Sequence, residues 1–382
     1  MPLRSTLTAS WDHIQGSLFP RLHSEIGPLT SQHERLIIVL EAANIGAFVA
    51  RWPTKPGRPP CDRAALARAF LGKSVLGLPT TAALIERLEI DGALRRLCGW
   101  EGRREVPSEA TFSRAFDEFA AADLAGRAHE AMIAKTQKPR LIGHICRDST
   151  AIPVREARVK TPTLVSESKS TPKRSRGRPK KGAPSVPKVE RRIVRQAGMS
   201  LAAMLAELPK TCGVGAKVDA KRHLTTWTGY KLHVDVADGD IPITCLLTSA
   251  SLHDNQVAIP LATMTAARVT SLYDVMDCAY DVPEIAAHSR RLGHVPIIAE
   301  NPRCGIKHTR HTTEARARRV IRFRDAEAIR FAERSASERV NAALKDTYGG
   351  RFVRVRGNAK VMCHLMFGVV ALTAEAVFRL IT

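Results

Sequence analysis

An α/β domain built on a mixed sheet, preceded by an all-helical N-terminal region, is the architecture the sequence predicts. Three observations carry it. Residues 33–135 hold apolar side chains at helical spacing behind good capping residues. From Leu141 onward, short apolar runs alternate with helical segments, the pattern of strands and their connecting helices. Two of those runs end on an acid, Asp148 and Asp277.

In chain order, the spacing predicts helices over His33–Ala50, Asp62–Leu76, Thr80–Leu88, Asp91–Cys98 and Glu109–His129. Asp62 and Ser108 are the natural N-caps, because their side-chain oxygens accept from the free amides of a first turn. Behind Pro107-Ser108, Phe112, Phe116 and Phe119 share one face. PTTAALIERL, a turn and DGALRRLCGW read as a helix-turn-helix-like pair, a reading that an ordinary helical bundle also satisfies. The strand candidates follow: LIGHICRD, then YKLHVDV and ITCLLTS around ADGDIP, then LYDVMD and VPIIAE. Asp238-Gly239 suits a tight hairpin turn. A helix over Arg322–Asp346 comes next, and the apolar run Val361–Leu380, broken by His364, Glu375 and Arg379, reads as a packed amphipathic helix rather than a membrane span. The predicted division is a helical domain over 1–136 and an α/β domain over 137–382. The latter is interrupted at 157–222 by a basic insertion rich in Pro and Gly, whose composition predicts flexibility.

Charge narrows the function. The chain of 382 residues carries 59 Lys and Arg against 37 Asp and Glu, a net charge of +22. So positive a field favours a polyanion, with nucleic acid ahead of acidic proteins or membrane surfaces. The eight cysteines are scattered without a Cys-x2-Cys pair, as in a reducing compartment, and no signal-peptide pattern opens the chain. A soluble intracellular protein is the expectation. Cys304, His308 and His311 lie close together, but their irregular spacing in an Arg- and Lys-rich stretch reads as a solvated basic loop rather than a zinc site.

The chemistry concentrates on one helix face. At about 100° per residue, Phe331, Arg334, Glu338 and Lys345 fall within one arc, a carboxylate flanked by two cations. A solvated charged face gives the same pattern, and Asp148 and Asp277 also suit ordinary strand-end turns. Together the three acids suit oxygen-loving Mg²⁺ or Mn²⁺ in phosphoryl transfer.

In their order and context these residues resemble the DDE transposases of bacterial insertion sequences, in the group marked by a Y-x2-R-x3-E-x6-K helix. The matching segments are Asp148 in RDST, Asp277 in DCAYD, Glu338 in FAERSASERVNAALK, GYKLH at 229–233, SLHDNQ at 251–256 and PIIAENPR at 296–303. The stretch from Arg63 to Phe119 is similar to the helical domain that precedes the core in many members. Phe331 replaces the signature tyrosine, and Ala279 the glycine of D-x-G-Y-D. The resemblance implies a ribonuclease H-like fold in which Asp148, Asp277 and Glu338 hold two Mg²⁺ (or Mn²⁺), with Arg334 and Lys345 on DNA phosphate. It implies cleavage at the element's inverted-repeat ends, direct strand transfer to target DNA, and a homodimer on DNA in the bacterial cytoplasm. An inactive or host-adapted descendant, and a nuclease that cuts without joining, remain the alternatives.

Within the insertion, Arg176-Gly177-Arg178-Pro179-Lys180-Lys181 resembles an AT-hook, whose arginines enter the narrow minor groove of A·T DNA. Arg176, Arg178, Lys180 and Lys181 are therefore candidate DNA contacts, and a basic linker without sequence preference is the plainer reading.

Overall fold

The computed structural model describes residues 8–9, 11–50, 60–158, 190–218, 223–300, 320 and 326–380. The AT-hook-like stretch and the Cys304–His308–His311 cluster fall outside them.

The N-terminal helices form where caps and spacing place them. They are α1 (Phe19–Ile26), α2 (Ser31–Ala43), α3 (Arg63–Val75), α4 (Thr81–Ile90), α5 (Gly92–Cys98), α6 (Glu109–Ala121) and α7 (Leu124–Thr136). Asp62 accepts from the Ala64 amide at 2.8 Å, whereas Ser108 sits at its N-cap with its hydroxyl on Thr111 rather than on an amide. Two expected helices are shorter than their apolar pattern. Asn44 (φ 40°) ends α2, and Asp123 (φ 47°) splits Glu109–His129 into α6 and α7. Asparagine and aspartate tolerate this left-handed backbone better than other non-glycine residues, so periodicity continues across a break it cannot register. Helices α4 and α5 meet at a single residue, Asp91, which accepts from the Leu94 amide and bonds His33 at 3.0 Å. That is a packed corner, tighter than the three- to four-residue turn of a helix-turn-helix.

The sheet contains β1 (Leu141–Pro153), β2 (Gly213–Val218), β3 (Leu224–Ala237), β4 (Ile241–Ser249), β5 (Thr270–Met276) and β6 (Val295–Ile298). Its path runs β2-β3-β1-β5-β6, with β4 also on β3. The β1–β3 and β3–β4 pairs are antiparallel, and β1–β5 and β5–β6 parallel. This mixed sheet, flanked by helices behind a helical N-terminal region, is the ribonuclease H-like arrangement. The hairpin turn falls at Asp238–Asp240, with Gly239 at φ 85° and Asp240 at φ 60°.

The insertion predicted as flexible over 157–222 is folded in its second half. Helices α8 (Arg192–Gln196) and α9 (Leu201–Glu207) precede β2, and Ile193 and Met204 bury against Ala258, Ile259 and Ile285. Apolar side chains spaced among the arginines, rather than average composition, decide this segment.

Helices α10 (Asn255–Arg268) and α11 (Pro283–Arg291) follow β4 and β5. The predicted helix Arg322–Asp346 is described as two, α12 (Ala326–Ala332) and α13 (Ser335–Asp346). The break has a local cause. The Ser335 and Ser337 hydroxyls donate to the carbonyls of Ala332 and Arg334, and the backbone there closes shorter turns, Ala336 to Glu333 and Ser337 to Arg334.

Helix α14 (Asn358–Arg379) corrects the amphipathic reading, because it is buried on nearly every side. A helix apolar all round belongs inside a protein or a membrane. Here it packs against α2, α3, α6, α7 and β4. Phe367 meets Phe70 at 5.7 Å between ring centroids, with Phe112 and Phe116 around the same ring. Its polar interruptions are satisfied: the His364 imidazole bonds the Gly349 carbonyl at 3.1 Å, and Glu375 accepts from Arg35 at 2.8 Å. One hydrophobic core thus runs from the N-terminal helices into the sheet.

Candidate active site

Asp148 is not a strand-end residue. Strand β1 continues to Pro153 because β3 pairs with it over its full second half, placing Asp148 opposite Val234. The parallel ladder to β5, however, stops at Arg147–Met276. Asp148 and Asp277 are thus the first residues beyond the last shared rung of neighbouring strands, and the charge of Asp277 acts on the Asp148 carboxyl. Asp277 also caps a short turn, accepting from the Ala279 amide at 2.9 Å.

A third acid, from SLHDNQ, adds its charge to theirs. Asp254, just before α10, accepts from the Lys231 ammonium at 3.0 Å, and Lys231 also donates to the Leu252 carbonyl. Burial pushes the Asp148 carboxyl up to about 6, and the charges of Asp277 and Asp254 add to it; the Ser149 amide and Lys217 pull the other way. Burial also raises Asp254, but His233, Lys231 and Ser149 together hold it below its ordinary value. Tyr280, of DCAYD, is fully buried and feels the charges of this group. Burial and then the charges of Asp254 and Asp148 drive its hydroxyl well above its usual range, and that hydroxyl has no hydrogen-bond partner among the described residues. Nothing in the sequence ties SLHDNQ to GYKLH, because the Asp254–Lys231 pair exists only in the fold.

Helix α13 packs on β1 and β3 and brings the other candidates. Asn341 donates to Asp148 at 3.4 Å. Glu338, one turn earlier on the same face, has its side chain 57% exposed and accepts from Arg334 at 2.8 Å. Lys345, one turn later, is half-buried; burial lowers its pKa, helped by Arg351 and Lys217 and opposed by Asp346 and Asp148. Phe331 lies before the break and packs against the main core, with the Arg334 guanidinium 5.9 Å from its ring centre. The continuous Phe331–Lys345 stripe is therefore divided: Glu338, Asn341 and Lys345 share α13, while Arg334 stands at the junction.

Among the described residues no three His, Cys, Asp or Glu side chains converge closely enough to hold a metal ion. The structure brings Asp148 and Asp277 together and leaves Glu338 on the approaching helix, paired with a cation. The donor set nonetheless fits a hard divalent ion. It is all oxygen, and the like charges that lift Asp148 are the situation such an ion relieves.

Residues 140–374 match the family described as Transposase DDE domain, and residues 28–118 match Transposase domain (DUF772). The chain belongs to the DDE transposase family. No curated protein and no solved structure matches it. As a DDE transposase it is an enzyme of the polynucleotidyl transferase class whose substrate is DNA. The family match spans both strands that carry the aspartates and all of α13.

Proposed function

We propose that this transposase cleaves DNA at the ends of its insertion element and transfers the freed strand to target DNA, using Asp148, Asp277 and Glu338. The observation that supports this most directly is the paired carboxylates at the open end of the β1–β5 ladder, with Asp148 lifted to about 6 by burial and by its neighbours. These three acids would hold Mg²⁺ or Mn²⁺, which supplies Lewis acidity and charge neutralisation at the phosphodiester when bound. Around it the chain's own groups divide the work. Asn341 fixes the Asp148 carboxylate. Lys231 takes up Asp254, so that this further acid near Asp148 is already neutralised. Lys345, kept on the same face as Glu338, meets a DNA phosphate.

Arg334 holds Glu338 away from the aspartates in the absence of DNA. A phosphate arriving at Arg334 would compete for the guanidinium with a stronger, charge-assisted contact. That releases the Glu338 carboxylate toward Asp148 and Asp277, and couples assembly of the triad to substrate. In-line attack by water then frees a 3′-OH at the element end, and that 3′-OH attacks a target phosphodiester, exchanging one P–O bond for another. The region 1–136 is assigned to recognition of the ends and to pairing of two copies on DNA. The basic stretch with Arg176, Arg178, Lys180 and Lys181 is assigned to the DNA backbone or minor groove.

The deciding experiment is cleavage and joining on duplexes that carry the element's own ends, with Mg²⁺ or Mn²⁺. Joined products from the wild type that vanish in Asp148→Ala, Asp277→Ala and Glu338→Ala, with duplex binding retained, are expected. Cutting without joining would replace this reading with a nuclease. Binding without metal-dependent chemistry would leave an inactive descendant.

A further inference from the structure

Lys73 lies in the last turn of α3, far in sequence from every catalytic motif. It is only 9% exposed, and no acid or hydrogen-bond acceptor is paired with its ammonium among the described residues. A buried ammonium without a partner is unfavourable, and such groups normally pair or lose their proton. What surrounds it makes matters worse. Burial lowers Lys73 to about 8, and the nearby charge of Arg354 acts in the same direction. His364 of α14 is the other titratable neighbour, and burial followed by the field of Lys73 keeps it neutral, down to about 4. Arg354 itself is exposed and has no carboxylate partner among the described residues.

The position gives the cations a use. Lys73 stands where the helical region abuts the loop that leaves α13: a Cβ on Gly77, just after α3, would approach the Thr347 carbonyl to 3.3 Å. That loop starts two residues after Lys345 and carries Arg351, which is taken up by Asp346, and then Arg354. Along the chain, cations therefore follow Lys345 through this loop to Arg354, whose charge reaches Lys73.

We propose that Lys73 and Arg354 form a phosphate site for the backbone of duplex DNA, outside the catalytic motifs and at the junction of the helical region with the catalytic domain. This rests on the reading of the protein as a DNA-acting transposase. A phosphodiester oxygen there supplies the anion that neither side chain has within the protein, and it aligns a duplex leaving the catalytic centre with the N-terminal helices.

The test is duplex affinity as a function of salt, for wild type, Lys73→Met, Arg354→Gln and the double variant, using a duplex of arbitrary sequence. Each single variant should weaken binding several-fold, and the double variant should reduce the magnitude of the slope of log K against log salt by about one, the increment expected for the loss of one phosphate contact. The double variant should lose less than the product of the two, because both cations meet one phosphate. Lys73→Met should keep or raise the melting temperature of the DNA-free protein, since it removes a buried unpaired charge. If it fails to fold, the exposed Arg354→Gln gives the same reading. Superimposable salt curves for wild type and variants would overturn the site while leaving the transposase reading intact. A wild type that binds no duplex would overturn both. Melting with inorganic phosphate alone separates a free-anion pocket: stabilisation of wild type by phosphate, with unchanged duplex affinity in the variants, would overturn the assignment to DNA.

Discussion

Arg147 and Asp148 are consecutive residues of one strand with opposite fates. Successive strand residues face opposite sides of a sheet. On one side Arg147, 2% exposed, makes a two-point bond to Asp235 across the ladder, at 2.8 and 2.7 Å. Thr265 of α10 donates to the same aspartate at 2.6 Å, and Asp274 next door is held by Ser289 and His294. Every charge in that layer has its partner. On the other side Asp148 feels the charges of two acids, supported by the Ser149 amide and a long 3.4 Å bond from Asn341. The fold satisfies the group that must stay put and leaves unsatisfied the group that must receive something from outside. A strained carboxylate standing on a fully paired layer is how a site is kept rigid without being filled by the protein itself.

Six substitutions break or sharpen that contrast. Asp148→Ala and Asp277→Ala should lower strand cleavage on the order of 10³-fold or more, with duplex binding kept; gel quantification of nicked and joined products checks this, and near-normal activity in either would show that the open side is not the catalytic one. Arg147→Met should act on stability instead, losing roughly 3–5 kcal/mol by urea titration because Asp235 is left buried and charged. Restoring most of that loss with Asp235→Leu in the same chain would confirm that pairing, rather than arginine as such, is what the inner side requires.

Asp148→Asn should move stability the other way, by about 2 kcal/mol in favour of the variant at pH 7.5 without divalent ions. The sign follows from protons. The folded carboxyl titrates at about 6, above the ordinary ~4 of an unfolded chain, so the folded state binds more protons between those values. Wild type therefore loses stability as pH rises from about 4 to 6, and the advantage of the variant should be full above that window and gone below it. Melting curves at several pH values, repeated with Mg²⁺, would show whether the metal narrows the gap. Asp254→Asn should have the smallest effect, about a tenfold loss of cleavage rate, because Lys231 loses its acid while the two strand aspartates stay in place. A loss as large as that of Asp148→Ala would promote Asp254 to a direct participant.

Much of this was legible in the sequence, because local chemistry decides local structure. Asp62 caps where a cap was expected, Asp238-Gly239 turns the hairpin, and Asp277 stands at the end of its strand. What escaped was decided at a distance or by a single side chain. Strand β1 outruns its apolar pattern because β3, some eighty residues later, continues to pair with it. The break before α13 is set by two serine hydroxyls that leave the apolar spacing undisturbed. Asp254 is recognisable as part of the site only when α10 has folded against β3 and brought Lys231 to it. Helix α14 was expected to have a wet face because three polar residues interrupt it, yet His364 and Glu375 find partners inside the protein.

That last helix has a consequence for how the protein is made. On the ribosome, α2, α3, α6 and α7 emerge long before Asn358–Arg379, the helix on which all four close. Phe70 and Phe116 must wait, with their apolar surface open, while the whole catalytic sheet is synthesised. Domains that can fold as they emerge escape this exposure, and chains that cannot are prone to association and depend on chaperones. A copy of the gene interrupted anywhere upstream of residue 358 would therefore yield a fragment lacking its central pillar. Such a fragment is material for proteolysis rather than a folded competitor for the element's ends, so damaged copies would leave intact ones undisturbed.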